Sequence, residues 1–154
     1  MKSDKGIENM DIFIHRPKDN ENDKIDIYVR NLTPEILMWI EQANHIQKTI
    51  TGFDEDKIHR LFPQDIYYFE SVDNNVFAYG ESQVYKCREK LYELENDLQN
   101  TNFLRVSKSI VLNLQKIEFL TSAYNGRFEA TLQNKEKIII SRQYTPRLKE
   151  KLKM

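Results

Sequence analysis

One cysteine and four glycines in 154 residues close several classes of function at once. Cys87 has no second cysteine to pair with or to share a metal with, so it is read as a small core side chain rather than as a nucleophile. With so few glycines no glycine-rich loop can cradle a phosphate, and the G-x-S-x-G of serine hydrolases is absent. His15, His45 and His59 lie too far apart for HxxxH or HExxH, which leaves them as surface or core residues. Glu93, Glu95 and Asp97 read as a solvated helix face, not as a catalytic pair. No run reaches the roughly 18 apolar residues of a membrane span. The opening MKSDKGIENMDIF also lacks an apolar stretch ending at a small-residue cleavage site. We therefore expect a cytoplasmic protein that is not an enzyme, with no cofactor, no metal and no small-molecule substrate.

What is present is a core and an uneven charge. At 40% hydrophobic the chain can bury a core of its own. Its net charge of −1 hides an asymmetry. Residues 1–65 carry nine Lys/Arg against thirteen Asp/Glu, residues 66–98 three against seven, and residues 99–154 eleven against four. The last third is thus +7, and a basic segment on a near-neutral chain points to a local anionic partner, nucleic acid above all.

Apolar residues alternate with period two in MDIFIHR and KIDIYVR, which predicts two strands joined by PKDNEND. Thr33-Pro34-Glu35 then supplies a cap, a first-turn proline and an early acid for a helix at about 34–48. Gly52 and FDEDK break the pattern, and a second region opens near residue 61. Its signals are mostly β: DIYYFES, NVFAY, a turn at Gly80, and QVYKC. A strand to about 87 and a helix over 88–99 fit residues 82–99 better than one long helix, although Val84, Cys87, Leu91, Leu94 and Leu98 keep helical spacing. VSKSIVLN and KIEFLTSAY follow, then the tight-turn pair Asn125-Gly126, RFEATLQ and KIIIS. Ser141 stands where a cap would precede a last short helix, QYTPRLKEKL, in which Pro146 blurs the start.

Within the basic third the charges recur at strand edges and turns, at Arg105, Lys108, Arg127, Lys135, Lys137 and Arg142. Arg and Lys there could donate to guanine O6 and N7, and Ser107, Ser109 and Ser141 suit phosphate oxygens. The same pattern would also arise from solubilising charges on a small β domain.

The order of segments separates the two readings. DIYYFESVDNNVFAY, LYELENDL, FLRVSKSIVLNLQKI, YNGRF and IIISRQYTPRLK, together residues 65–152, resemble the LytTR DNA-binding domain family. FLRVSKSIVLN and the late Ser141-Arg142 are the most specific parts of the match. The resemblance implies a mostly β fold of several short sheets with one or two short helices. It also implies a bacterial transcription regulator that reads successive major grooves with loops and bends the DNA. Carried over by position, Lys108 and Arg142 would read bases, with an earlier contact near Asn75. Ser107, Ser109, Ser141 and Gln143 would contact the backbone or hold the loops, and Arg105 would do one of these or be structural.

The expected architecture is α+β overall: a small strand-strand-helix segment over 1–60, serving dimerisation or partner contact, and a LytTR-type domain over 61–154. Sixty-odd residues are too few for a phosphorylatable receiver domain. The chain looks more like short stand-alone LytTR regulators, which implies a homodimer on double-stranded DNA and a small multi-pass membrane protein as regulator. Two other readings stand beside this one. A LytTR-like domain that no longer binds DNA specifically would act as an interaction module or anti-activator, which acidic residues 66–98 keep open. RNA binding through the basic strands is disfavoured, because Tyr124, Phe128 and Tyr144 are too dispersed for a stacking pair.

Overall fold

A computed structural model describes residues 26–46 and 48–154. The chain divides between Leu32 and Thr33. On the first side, residues 26–32 carry no regular structure and are exposed. The strand expected over KIDIYVR is therefore not formed in its described part, Asp26–Arg30. Alternation gives a strand its faces, but a strand also needs a hydrogen-bonded neighbour. The expected neighbour, MDIFIHR, lies outside the described residues.

The second unit opens with helix α1, Pro34–Ile46. The Thr33 hydroxyl accepts from the Ile36 amide at 3.4 Å and the Thr33 carbonyl from the Leu37 amide at 3.0 Å, as the cap signal predicts. Gly52 and FDEDK, read from sequence as a break, lie instead in a hairpin of β1 (Ile50–Asp54) and β2 (Lys57–Leu61). Gly52 misleads because it sits inside a strand. A Cβ there would lie 2.6 Å from Leu61 Cδ1 and 2.8 Å from Tyr85 Cβ, so the glycine permits close packing and does not end the strand.

The hairpin joins a seven-stranded antiparallel sheet with β3 (Tyr68–Val72), β4 (Asn75–Tyr79), β5 (Val84–Cys87), β6 (Phe103–Arg105) and β7 (Ile110–Asn113), in the order β2-β1-β5-β4-β3-β7-β6. A second sheet, in the order β10-β9-β8, consists of β8 (Ile117–Ala123), β9 (Arg127–Leu132) and β10 (Lys137–Ile140). Two further helices, α2 (Leu91–Asp97) and α3 (Thr145–Leu152), complete the unit. The expected mostly β fold with short helices is the one observed, and its sheets are antiparallel.

Strand alternation explains why the large sheet has two cores. Phe69 pairs with Val111, and both point with Val76, Ala78, Cys87 and Phe103 toward Leu91 and Leu94 of α2 and Leu98 just after it. Tyr68 pairs with Leu112, and both point the other way, with Leu104, onto Ala130, Leu132, Ile138 and Ile140 of the second sheet and Leu148 of α3. Strands β3 and β7 are thus apolar on both faces, and they anchor everything that projects from their ends. Asn113, buried between these cores, donates from its amide to the Ile66 carbonyl at 2.9 Å and accepts from the Gln115 amide at 3.1 Å. Its polar atoms therefore cost little to bury.

Helix α2 is shorter than the expected 88–99, because Glu93 Oε2 accepts from the Lys90 amide at 2.7 Å and fixes the first turn at Leu91. The last helix also starts later than its pattern suggested. Arg142–Tyr144 form one 3-10 turn, closed by the Tyr144 amide on the Ser141 carbonyl at 2.9 Å. The Ser141 hydroxyl does not cap it, and Pro146 falls in the first turn of α3, where no amide hydrogen is needed.

Candidate nucleic-acid interface

Four connections meet at one end of the sheets, latched in series by two backbone hydrogen bonds and one from a side-chain hydroxyl. The β3–β4 turn is a two-residue hairpin with Asp73 at φ 48° and Asn74 at φ 61°. Both central residues are left-handed, the geometry that suits the twist of a tight hairpin and the short side chains of Asp and Asn. Asn75 follows as the first residue of β4 and is half-buried, its amide donating to the Asp73 carbonyl at 3.1 Å. Two residues before the turn, the Ser71 amide donates to the Ser109 carbonyl at 2.8 Å, so the β6–β7 loop (106–109) lies beside it. The Val106 carbonyl at the other end of that loop accepts from the Ser141 amide at 2.9 Å. That bond ties in the β10–α3 turn, which carries Arg142. Finally, Thr145 donates from its hydroxyl to the Gly126 carbonyl at 3.1 Å, joining the β8–β9 turn.

The stretch FLRVSKSIVLN is therefore two short strands with a four-residue loop between them. Apolar residues at both ends hold it: Phe103 and Val111 in one core, Leu104, Val106 and Leu112 in the other. Strand parity sends Arg105 to the same face as Phe103, toward α2. There its guanidinium donates from Nη1 to Glu95 Oε2 at 3.0 Å, from Nε to the Ser107 carbonyl at 2.7 Å, and from Nη2 to the Lys108 carbonyl. A planar five-donor group can satisfy two loop carbonyls and a carboxylate at once, which an ammonium cannot do with the same rigidity. Ser107 Oγ accepts from the Ser109 amide at 3.2 Å and tightens the loop further.

Lys108 and Arg142 are exposed. Among the described residues neither makes an ion pair or a hydrogen bond through its charged group. Other cations of the basic third are engaged: Lys135 with Glu118 at 2.6 Å, Lys137 with Glu129 at 2.9 Å, and Arg105 as above. Gln143 is exposed beside Arg142, and Ser107, Ser109 and Ser141 are half-buried in the latched loops. All eight residues that the family resemblance singled out thus fall on the loop end, six of them in two neighbouring loops. Sequence reasoning did not single out Lys90, whose Nζ donates to the Asn74 carbonyl at 3.3 Å beneath the β3–β4 turn. Its position just before a helix carried no signal of that contact.

Burial, aided by the charge of Glu89, pushes the Cys87 thiol up to about 12, so it stays protonated at neutral pH. Among the described residues no three His, Cys, Asp or Glu side chains gather in a way that could hold a metal, and no helix is long and apolar enough to cross a membrane.

Comparison with known proteins agrees with this geometry. Residues 56–153 match the LytTr DNA-binding domain. An uncharacterized HTH-type transcriptional regulator of Staphylococcus aureus strain NCTC 8325 / PS 47 is 31% identical over 146 residues, covering 93% of this chain and 97% of that protein. Its counterpart in strain MRSA252 is 30% identical over the same shares. The name of these relatives specifies a helix-turn-helix, but the three helices described here are separated from one another by strands. A solved LytTr DNA-binding domain from Bacillus cereus superposes with a TM-score of 0.67 at 19% identity, covering 70% of this chain and 99% of that one, and so shares the fold. The chain belongs to the LytTr DNA-binding domain family.

Proposed function

We propose that this protein is a DNA-binding transcription regulator without catalytic activity, which recognises its sites by inserting loops into the major groove. The observation that carries the reading is the pairing pattern at the loop end. Two exposed cations, Lys108 and Arg142, stand without an acid on loops joined by the bond from the Ser141 amide to the Val106 carbonyl. Arg142 can engage guanine O6 and N7 with two parallel donors, and Lys108 acts as a single charged donor. Asn75, on the adjacent turn, offers an amide for a third base, Asn to adenine being the matching geometry. Ser107, Ser109, Ser141 and Gln143 supply backbone contacts, and Arg105 supports the loop instead of touching DNA.

Three of the seven acids in the stretch that favoured an interaction module are engaged by the rest of the chain. Glu93 caps α2, Glu95 holds Arg105, and Asp97 pairs with Lys48 at 3.1 Å. Binding as a homodimer to two copies of one motif completes the proposal, with residues 1–60 as the dimerising segment. Exposed Leu37, Met38 and Trp39 on α1 support that role.

Selection of bound duplexes from a random pool by the full chain tests the function, with Arg142→Ala at matched salt as control. Recovery of two spaced copies of one motif, lost in the variant, is expected. Recovery of no motif by folded protein would reject specific DNA reading.

A further inference from the structure

The β8–β9 turn meets Arg142 in a way that base reading alone leaves unused. Asn125, Arg127, Ser141, Arg142 and Gln143 line an open cleft of about 470 Å3. No acid is among its lining residues, and two of them are arginines. Arg127, like Arg142, is exposed and makes no ion pair or hydrogen bond through its charged group among the described residues. Two like charges facing one cleft repel each other, and an anion between them removes that repulsion.

The walls of the cleft are held in place. Asn125 (φ 59°, ψ 38°) and Gly126 (φ 72°) are both left-handed, which points the turn back over the β10–α3 connection. A Cβ on Gly126 would lie 3.3 Å from Arg142 Cγ, so the Arg142 stem packs directly on the turn backbone. The Thr145 hydroxyl fixes that backbone from the other side.

We propose that this cleft binds one phosphodiester of the DNA backbone, with Arg127 as its main ligand and the Asn125 amide as a neutral donor. This rests on the DNA-binding reading above and adds to it a sequence-independent anchor that neither the family match nor the motif FLRVSKSIVLN marks. Free inorganic phosphate has the same chemistry, and the two sources are separable by experiment.

The test compares the full chain with Arg127→Ala and Arg127→Lys on a selected duplex and on a scrambled one of equal length, across a salt series. Phosphate contact predicts that Arg127→Ala loses on the order of tenfold in affinity on both duplexes and lowers the salt slope by about one. The base preference should be kept, and Arg127→Lys should recover most of the loss. Melting temperature should match wild type in both variants, since Arg127 is exposed and unpaired. Unchanged binding by Arg127→Ala, or a changed base preference, would overturn the anchor while leaving the regulator reading intact. Saturable calorimetric binding of inorganic phosphate alone that depends on Arg127 would assign the cleft to a free anion instead. Failure of the wild type to bind any duplex would remove the DNA reading and the anchor together.

Discussion

The basic third contains two kinds of cation that composition does not distinguish. Lys135 and Lys137, at the β9–β10 turn, face Glu118 and Glu129 across the small sheet and are paired. Lys108, Arg127 and Arg142, at the other turns, face no acid among the described residues. The net charge of +7 over residues 99–154 therefore locates a basic region, and strand register decides which of its charges are free to meet an anion. A surface pair spends its charge locally for at most about 1 kcal/mol, whereas an unpaired cation keeps its full field for a partner.

This contrast is open to direct attack. The largest effect is expected at Arg105, which resembles the free cations in sequence but serves as a clamp. Arg105→Ala leaves two loop carbonyls and Glu95 without their donor, and should cost about 2–3 kcal/mol in urea unfolding. It should also weaken binding to every DNA sequence, because the loop that presents Lys108 is released. An unchanged midpoint would show that the clamp is dispensable.

Next come the side chains proposed to read bases. Lys108→Ala and Arg142→Ala should each cost roughly 1–3 kcal/mol on a selected site, relax preference at one base pair, and leave unfolding near wild type. Competition titrations against single-base variants would detect this. Equal loss on all duplexes would instead make the two residues phosphate ligands.

A smaller effect is expected at Gly126. Its φ of 72° and the 3.3 Å approach of Arg142 Cγ mean that Gly126→Ala should cost on the order of 1 kcal/mol of stability and displace the Arg142 stem. Loss of affinity on the selected site without any change in stability would separate the two consequences. The smallest effect belongs to Lys135→Ala and Lys137→Ala, within about 0.5 kcal/mol of wild type in stability. Their DNA affinity should differ little from wild type.

Much of this arrangement is written in local pattern. Segments rich in β-branched and aromatic residues located β3, β4 and β8 to β10, the Asn125-Gly126 pair marked its turn, and Thr33-Pro34 marked the start of α1. The β1–β2 hairpin escaped because its decisive fact is a distance: Gly52 is there to let Leu61 and Tyr85 approach, and no local pattern encodes who approaches. KIDIYVR failed in the opposite sense, since perfect alternation promised a strand that its described residues do not form. At the loop end, FLRVSKSIVLN drew attention to Lys108 correctly placed on a loop. The role of Arg105, however, depended on strand parity and on Glu95 ten residues earlier. Arg127 was visible as a basic residue after a turn, but its meeting with Arg142 required the three-stranded sheet to bring β9 and β10 together.

The central claim is that unpaired cations on the latched loops read DNA while paired ones do not. Fluorescence anisotropy of a selected duplex and its scrambled counterpart, with wild type, Arg142→Ala and Lys135→Ala at one salt concentration, tests it directly. The account predicts that Arg142→Ala loses about tenfold or more on the selected duplex and much less on the scrambled one, with Lys135→Ala indistinguishable from wild type. Equal losses for both variants on both duplexes would contradict it, and would reduce the loop end to part of a diffuse basic surface.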